Sequence, residues 1–423
     1  KNNEVNSKIN DLKKLRFPYK KDLFKTAYQI KRELLKNDYE SYKKIDTWIK
    51  NLRKNYQIDY SSHLYSESDM NPVNVNYIEP KYETEQQQQL VDGRIILRDN
   101  FDQILTKHKN VLIFGQDSGK IGGVNQGLEG LQKKYGEIRV FDTGIREATI
   151  IGQGIGLALR GLRPIAEIQY LDYLLYSLQI ISDDLATLHY RTRGKQKCPL
   201  IIRTRGHRLE GMWHAGSPMG GIINLIRGVY LLVPRNMTKA AGFYNTLLIG
   251  DQPAIVIECL NGYRTKEKLP TNLGEFTTPI GKTDTIMFGD DITVVSYGST
   301  LNLIEKACNE LKQHGITCEV IDCQSLIPFD VNHDIKKSIK KTNRLLIIDE
   351  DYSGSASAYI LDKLINEQEV FEYLDNKPYC LTAKNHRTAY GTDGDYFSKP
   401  SIDDIFDFIY EIMNDTNPTS FPI

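Results

Sequence analysis

The sequence predicts an α/β protein in which two doubly wound domains with mostly parallel sheets follow a helical segment. Three features of the chain support this class. Apolar residues recur at helical spacing within the first 55 residues, short apolar runs alternate with helical patterns from Val91 onward, and a Pro- and Gly-containing connection at 263–288 divides that alternation in two. Near-continuous apolar strands separated by helices are typical of a buried parallel sheet.

The composition fits a large folded protein without a charged binding surface. The 423 residues are 40% hydrophobic, enough for about two to three domains. The 54 basic and 54 acidic side chains balance, which argues against nucleic-acid and membrane partners. Residues 1–60 hold 16 basic and 8 acidic side chains and the remainder holds 38 and 46, an asymmetry that we interpret as a solvated helical face. No apolar run approaches the length of a membrane span.

The cysteines and the amino terminus indicate a cellular compartment. The six cysteines form no CxxC pair and lie mostly in apolar, strand-like contexts, so we expect free buried thiols in a reducing environment. The amino terminus is polar and charged and has no signal-peptide pattern. These features predict a cytoplasmic protein. The first residue is not Met, which is consistent with a start inside a longer polypeptide.

Apolar spacing and composition set the predicted domain boundaries. Two stripes follow the i, i+3, i+4, i+7 pattern of a helix and need a partner surface; they consist of Leu23, Ala27, Ile30 and Leu34, and of Ile45, Trp48, Ile49 and Leu52. Prolines and a run of glutamines mark the following stretch as a linker. The predicted order is a helical segment at 1–59, an irregular linker at 60–92, a domain at 93–262, a connection at 263–288 and a smaller domain at 289–415.

Each α/β domain has its own set of predicted elements. The larger domain has predicted strands at 111–114, 138–141, 164–169, 200–204, 229–233 and 254–258, and predicted helices at 123–135, 147–160, 174–190 and 239–248. The smaller domain has predicted strands at 292–297, 318–322, 345–349 and 379–383, and predicted helices at 301–314 and 356–367.

A glutamate at the end of one predicted strand is the main candidate functional residue. The strand at 138–141 leads through a Thr-Gly turn to Glu147, which lies in the first turn of a helix containing Gly152, Gly154 and Gly156. Open α/β sheets bind ligands at the carboxyl ends of their strands. A carboxylate at this place can accept a hydrogen bond from a protonated heterocycle nitrogen. A glutamate that merely stabilises a helix start is the ordinary alternative.

The residues around Glu147 belong to a longer series of matching blocks. These blocks are Gly122-Gly-Val, Arg139-Val-Phe-Asp-Thr, Gly152 to Gly156, Gly161-Leu-Arg-Pro-Ile-Ala-Glu-Ile-Gln169, Asp172-Tyr173, Leu200-Ile-Ile-Arg203, His214, Ser217-Pro218 and Asp349-Glu350. In order and spacing, residues from about 91 to 415 resemble the β subunit of the thiamin-dependent 2-oxoacid dehydrogenases. The match is closest to bacterial members whose α and β halves are fused, with a charged helical linker before the β half.

The resemblance implies a fold and a function for each domain. The larger domain corresponds to a thiamin diphosphate-binding pyrimidine domain, and the smaller one to a transketolase C-terminal-like domain. Together they imply the β part of an enzyme that decarboxylates pyruvate or a branched-chain 2-oxo acid and transfers the acyl unit to a lipoyl group. The sequence leaves the choice of 2-oxo acid open, because apolar pockets discriminate a methylene by only about 1–3 kcal/mol.

The resemblance also implies roles for individual residues. Glu147 would bind the protonated pyrimidine nitrogen and activate the cofactor by general acid–base chemistry. Tyr173 matches the aromatic residue that stacks on the pyrimidine, although a core aromatic is a competing explanation. Gln169 and Ile145 match further positions of the pocket, where ordinary strand-end residues are the alternative. His214 matches the histidine that orients the substrate or serves in acyl transfer.

The sequence contains no complete motif for binding a metal–diphosphate unit. Thiamin diphosphate enzymes hold Mg²⁺ and diphosphate with Gly-Asp-Gly and a later Asn, and this chain has no Gly-Asp-Gly. We therefore expect no metal ligands in this chain and Mg²⁺ held by an α subunit or α half. The resemblance further implies a second β copy, in a heterotetramer or a fused homodimer, and a lipoyl-bearing transacylase component. Members of the family often hold K⁺ through backbone carbonyls, a type of site that the sequence cannot test.

Two questions about function stay open in the sequence. The stretch from Arg203 to Arg208 departs from the family's glycine-rich pattern and contains His207. It can be an anion site for a substrate carboxylate or a cofactor phosphate, or an ion-paired surface loop. The alternatives for the whole chain are a carboligase of the transketolase or deoxyxylulose-phosphate synthase type and a non-catalytic scaffold subunit. His386-Arg387, after a predicted strand, is interpreted as structural.

Overall fold

A computed structural model describes residues 2–206, 218–389 and 391–422. The chain divides into two compact units, residues 1–63 and 64–423, which are treated separately below. Within the described ranges, no helix has the length and apolar character needed to cross a membrane. All six cysteines are described and carry free thiols, of which only that of Cys380 is exposed, so the prediction of mostly buried free thiols is confirmed.

The first unit consists of helices, as predicted. They are α1 (Asn2–Lys14), α2 (Lys20–Asn37) and α3 (Tyr39–Ser61). The two apolar stripes face each other in part, since α2 packs against α3 and buries Ala27, Ile30 and Ile49. Trp48 lies beside this contact and keeps 44% of its surface exposed.

The second unit begins with an extended segment, residues 64–92, which we call the strap. Besides a few local turns, its backbone is bound to residues far along the chain. The N–H of Ile78 donates to the Thr277 hydroxyl at 2.7 Å, and the N–H of Thr277 donates back to the Ile78 carbonyl at 2.9 Å. The N–H of Thr271 similarly donates to the Lys81 carbonyl at 2.8 Å. The strap is thus held against the domain by paired backbone groups.

The larger sheet has seven strands, and its order is β12-β6-β7-β5-β4-β2-β3. These strands are β2 (Val111–Gly115), β3 (Val140–Asp142), β4 (Arg163–Glu167), β5 (Ile201–Gly206), β6 (Tyr230–Leu232), β7 (Ala254–Cys259) and β12 (Ser325–Ile327). All neighbouring pairs are parallel except β12 with β6. The six predicted strands of the larger domain all occur, and β12 comes from the part of the chain predicted as the smaller domain.

The second sheet has five strands in the order β14-β13-β10-β11-β9. These are β9 (Asp284–Met287), β10 (Ile292–Ser296), β11 (Cys318–Asp322), β13 (Leu345–Tyr352) and β14 (Tyr379–Ala383). Only β9 is antiparallel. A separate two-stranded ribbon joins β1 (Leu90–Asp92) of the strap to β8 (Lys266–Lys268).

Helices cover both faces of the sheets, which confirms the doubly wound α/β class. Those of the larger domain are α4 (Gly93–Lys107), α5 (Leu131–Tyr135), α6 (Glu147–Leu159), α7 (Leu178–Ile180), α8 (Ala186–Arg191), α9 (Met219–Leu225) and α10 (Met237–Ile249). Those after the connection are α11 (Leu301–Leu311), α12 (Asp334–Thr342), α13 (Ala356–Asp362), α14 (Gly391–Ser398) and α15 (Ile402–Thr416). The predicted domain boundaries themselves stay a prediction.

One predicted helix is mostly wrong. The sequence pattern predicts a helix over 123–135, whereas only Leu131–Tyr135 is helical. The preceding residues form turns, and Gly122 and Gly123 have φ values of 75° and 80°. This left-handed conformation favours glycine and interrupts a right-handed helix. Within the non-helical part of this stretch, Leu128 is buried by a turn rather than by a helical face, whereas Val124 is exposed.

A fully buried ionic network lies at the carboxyl ends of β4, β5 and β7. Its members are Glu167, Arg203, Arg205, Tyr244, Glu258 and Tyr263. Arg203 donates to the Glu258 carboxylate through Nε at 2.8 Å and Nη2 at 3.1 Å, and also to Glu167. Burial raises the pKa of Glu258, but the charge of Arg203 together with hydrogen bonds from Arg203, Tyr244 and Tyr263 outweighs burial and leaves that pKa below its usual value. The network therefore favours the ionised form of Glu258.

The glycines of α6 yield a first test of the fold. A Cβ on Gly154 would lie 2.7 Å from Leu200 Cδ1, whereas one on Gly152 or Gly156 would meet nothing within 4 Å. Gly154→Ala should lower the free energy of unfolding by about 1–3 kcal/mol because it overpacks the core. Gly152→Ala and Gly156→Ala should each raise it by up to about 1 kcal/mol, since alanine favours a helix. Chemical denaturation measures all three; equal stabilities would contradict the packing of α6.

Removal of Arg203 tests the ionic network. Arg203→Met leaves the Glu258 charge buried without its main partner and should cost about 3–5 kcal/mol in urea unfolding at neutral pH. Arg160→Met, on an exposed arginine at the end of α6, should change the same free energy by less than about 0.5 kcal/mol. A loss equal to that of the control would show that the network does not stabilise the fold.

Because the pKa of Glu258 is lowered in the folded protein, the free energy of unfolding should fall as the pH becomes acidic. The stabilisation is fully present above the unfolded glutamate pKa of about 4.3 and is lost as pH falls through the lower folded value. Unfolding curves recorded between neutral and acidic pH should show this loss in the native chain, and a smaller loss in Arg203→Met.

Candidate functional site

Glu147 lies where the sequence pattern places it, at the first position of α6. Strand β3 ends at Asp142, whose carboxylate accepts from the N–H of Gly119 at 2.6 Å and from that of Lys120 at 3.0 Å and so ties the loop after β2 to the end of β3. Arg146 caps the helix in an extended conformation. Glu147 thus lies just beyond the carboxyl end of β3 and lines a pocket there.

Three neighbouring strands deliver residues to one pocket at this edge. The pocket has a volume of about 560 Å³ and is lined by Gln116, Ile145, Arg146, Glu147, Ala148, Gln169, Tyr173 and Tyr176. Gln116 follows β2, residues 145–148 follow β3, and Gln169 to Tyr176 follow β4. Because β4, β2 and β3 are adjacent and parallel, their carboxyl ends converge here. The structure thus brings together Glu147, Tyr173, Gln169 and Ile145.

Gln169 is held from two sides. Its backbone carbonyl accepts from Arg205 Nη1 at 2.9 Å, and its side-chain amide donates to the Asp117 carboxylate at 3.1 Å. Asp117 has a φ of 61°, a conformation rarely adopted by residues other than glycine, asparagine and aspartate. The side-chain amide of Gln169 is therefore fixed by the turn at Asp117, and its backbone carbonyl is fixed by Arg205 of the buried network.

Tyr173 belongs to a group of three aromatic side chains. Its ring makes an edge contact with Tyr170 at 5.8 Å between centroids and lies 6.5 Å from Tyr176. Burial, followed by the nearby charge of Asp172, raises the pKa of Tyr173, so its phenol is neutral at pH 7. The ring is half-buried and lines the pocket, so it is not simply a core aromatic.

The pocket is open on one side. Ile145 keeps 75% of its surface exposed and Tyr176 keeps 73%. Within the described ranges, no hydrogen bond or ion pair engages the Glu147 carboxylate. An accessible carboxylate between an aromatic ring, an amide and an apolar side chain fits a flat heterocycle that carries a proton.

Four lining residues were missed by sequence reasoning. Gln116, Arg146, Ala148 and Tyr176 all line the pocket. Their signal was available, since Gln116 directly follows a predicted strand and two of the others flank Glu147. The rule that ligands bind beyond the carboxyl ends of strands would have selected them.

Other predicted residues are placed elsewhere or lie outside the described residues. His214, His207 and Arg208 fall outside them. Arg203 and Arg205 are inside β5 and fully buried, so the expectation of a surface loop is wrong for these two while the expectation of ion pairing is right. Their charges are matched by Glu167 and Glu258, which leaves no free guanidinium for a ligand anion.

The described part of the chain contains no group of three or more His, Cys, Asp or Glu that could hold a metal ion. The stretch Gly289-Asp-Asp291 is the most similar to the Gly-Asp-Gly metal motif, but Asp291 is used for hydrogen bonds within the chain. The Asp291 carboxylate accepts from the N–H and from the hydroxyl of Thr317, both at 2.7 Å. His386 is exposed and its Nδ1 lies 2.9 Å from the Arg387 carbonyl, a purely local contact.

Comparisons with known proteins agree with this geometry. Residues 90–265 match the family described as transketolase, pyrimidine binding domain, and residues 281–394 match transketolase, C-terminal domain. A pyruvate dehydrogenase E1 component subunit beta from Acholeplasma laidlawii is 32% identical over 283 residues, covering 66% of this chain and 85% of the relative. The 2-oxoisovalerate dehydrogenase subunit beta of Bacillus subtilis is 30% identical over 270 residues, covering 63% and 82%.

The solved structures support the fold alone. A chain described as a split gene transketolase, inactive beta4 tetramer, aligns with a TM-score of 0.60 at 15% identity and covers 77% of this chain and 99% of its own length. The family models and the sequence relatives confirm the predicted family. The chain belongs to the β subunits of the E1 component of the 2-oxoacid dehydrogenases, a thiamin diphosphate-dependent family whose members work as α–β assemblies.

Proposed function

We propose that the pocket between β2, β3 and β4 binds the pyrimidine of thiamin diphosphate and that Glu147 activates it. The observation that carries this proposal is the convergence of Glu147, Gln169, Tyr173 and Ile145 on one open pocket. The family model that spans these residues describes a pyrimidine-binding domain. When bound, the cofactor supplies the nucleophilic carbon and the electron sink for decarboxylation.

Each residue of the pocket has a distinct task in this proposal. The Glu147 carboxylate accepts a hydrogen bond from the protonated ring nitrogen and stabilises the positive charge there. The Tyr173 ring stacks on the pyrimidine, and the Ile145 side chain covers an apolar part of it. The fixed amide of Gln169 sets the orientation of the ring within its plane.

The remainder of the active site comes from other parts of the assembly. The sequence has no Gly-Asp-Gly, and the described residues contain no metal-binding cluster. We infer that an α subunit or α half holds the diphosphate and Mg²⁺, so that the open side of the pocket is closed by that partner. A second β copy completes the assembly. K⁺ held by backbone carbonyls remains part of the proposal.

The reaction is the oxidative decarboxylation of pyruvate or a branched-chain 2-oxo acid. Relatives named for pyruvate and for 2-oxoisovalerate match at similar identity, so both substrates stay open. His214 orients the substrate or transfers the acyl unit, and the acceptor is a lipoyl group on a transacylase component. Part of the substrate pocket lies on the α half.

Loss of the Glu147 charge tests the catalytic role. Glu147→Gln in the assembled α–β enzyme should lower kcat by about 10²- to 10⁴-fold, because the amide cannot take part in the proton transfer. Glu137→Gln, on an exposed loop before β3, is the matched control and should retain full activity. A Glu147→Gln enzyme as active as the control would favour the scaffold alternative.

Cofactor binding tests the shared site. Calorimetry with thiamin diphosphate and Mg²⁺ should give no tight binding to this chain alone and tight binding once the α half is added, since the metal and diphosphate ligands are then present. Tight binding by the isolated chain would mean that it contains its own diphosphate site, and the carboligase alternative would then be preferred. A titration with Mg²⁺ alone serves as the blank.

A further inference from the structure

Arg205 is the one member of the buried ionic network that bonds directly to a pocket residue. Its Nη1 donates to the Gln169 carbonyl at 2.9 Å, its Nη2 donates to Glu167 at 2.7 Å and its Nε donates to the Tyr263 hydroxyl at 3.0 Å. The guanidinium keeps only 1% of its surface exposed. All three of its nitrogens are therefore used, and they join three separate segments.

The same strand end supports the backbone that leads to Tyr173. A Cβ on Gly206 would lie 2.4 Å from the Cβ of Leu171, so the chain between Gln169 and Tyr173 rests directly on the end of β5. The turn at Gly123 packs closely against Arg205 itself, since a Cβ on Gly123 would lie 2.9 Å from the Arg205 guanidinium. Arg205 thus sits under the floor of the pocket and touches both of its supporting turns.

Arg203 has a different set of partners, although it is two residues away and equally buried. It bonds to Glu258, Glu167 and the Tyr263 hydroxyl, all members of the network, and to no residue that lines the pocket. Arg203 therefore joins strands to one another, whereas Arg205 joins the network to the pocket. The two arginines can be separated by experiment.

We propose that Arg205 is a positioning residue that sets the place of Gln169 and, through the segment 169–173, of Tyr173. This inference rests on the proposed function, because the position of these residues matters only if they bind the pyrimidine. Without the guanidinium, the Gln169 carbonyl loses its partner and the segment is free to shift. A charge-assisted hydrogen bond of this kind is directional and strong, which suits it to hold a backbone group in place.

The test uses the assembled α–β enzyme and separates positioning from stability. Arg205→Met removes the donors but also leaves Glu167 with one cation fewer, so its melting temperature should fall. Arg205→Met combined with Glu167→Gln removes the excess buried charge and should recover part of that loss. Both variants should bind thiamin diphosphate about tenfold more weakly than the native enzyme, the equivalent of one charge-assisted hydrogen bond. The KM for the 2-oxo acid should stay within about twofold in both, because uniform substrate binding is not affected.

Two further variants keep the test decisive. Arg205→Lys preserves the charge beside Glu167 but cannot reach three partners at once, so it should fold and still show the weaker cofactor binding. Arg163→Met is the matched control, since Arg163 is a half-buried arginine whose Nη2 donates to the Leu247 carbonyl at 2.7 Å at the opposite end of β4. Its melting temperature should fall while its Kd for thiamin diphosphate remains native.

The outcomes distinguish the inference from the function on which it rests. Native cofactor affinity in Arg205→Lys and in the double variant, with Glu147→Gln inactive, would overturn the positioning role alone. Equal weakening in Arg163→Met would also overturn it, since any loss of stability would then have the same effect. Full activity of Glu147→Gln would overturn the proposed function and this inference together.

Discussion

The pairing of two arginines with two glutamates between the ends of β4, β5 and β7 is the constraint on which the rest of this protein depends. Charges in a protein interior are tolerated only when geometry and hydrogen bonding are nearly complete, because each ion has given up its hydration. Here the tyrosine hydroxyls of Tyr244 and Tyr263 take up the remaining bonds. Since the partners come from three strands, they meet only when those strands are in register, so the network fixes the sheet edge at which the pocket forms.

The pocket itself is a consequence of that fixed edge. The segments that follow parallel strands all leave the sheet at the same edge, and β4, β2 and β3 are neighbours in the sheet. The segment after β3 begins a helix with Glu147, and the segment after β4 carries the Gln169 amide and the Tyr173 ring. The buried ions therefore support the shape of the pocket, whereas the accessible Glu147 carboxylate is available to a ligand.

Most of the fold followed from the sequence because buried parallel strands are short and largely apolar. Strands such as 318–322 and 379–383 have the predicted bounds. What failed depended on distant contacts. The pairing of β12 with β6 joins residues about ninety positions apart, and the partners of Arg203 lie 36 and 55 positions away. For the candidate site, Glu147 was predicted from the strand–turn–helix pattern and Tyr173, Gln169 and Ile145 from the family pattern, whereas the contact of Arg205 with Gln169 was visible only in three dimensions.

The strap is synthesised early, but the residues that it contacts are synthesised much later. Its residues emerge from the ribosome before any part of the α/β unit, yet their hydrogen-bonding partners at 269–277 are made nearly 200 residues later. Contacts of such sequence separation form slowly, because the intervening loop must close first. We therefore expect the docking of the strap to be a late step in folding.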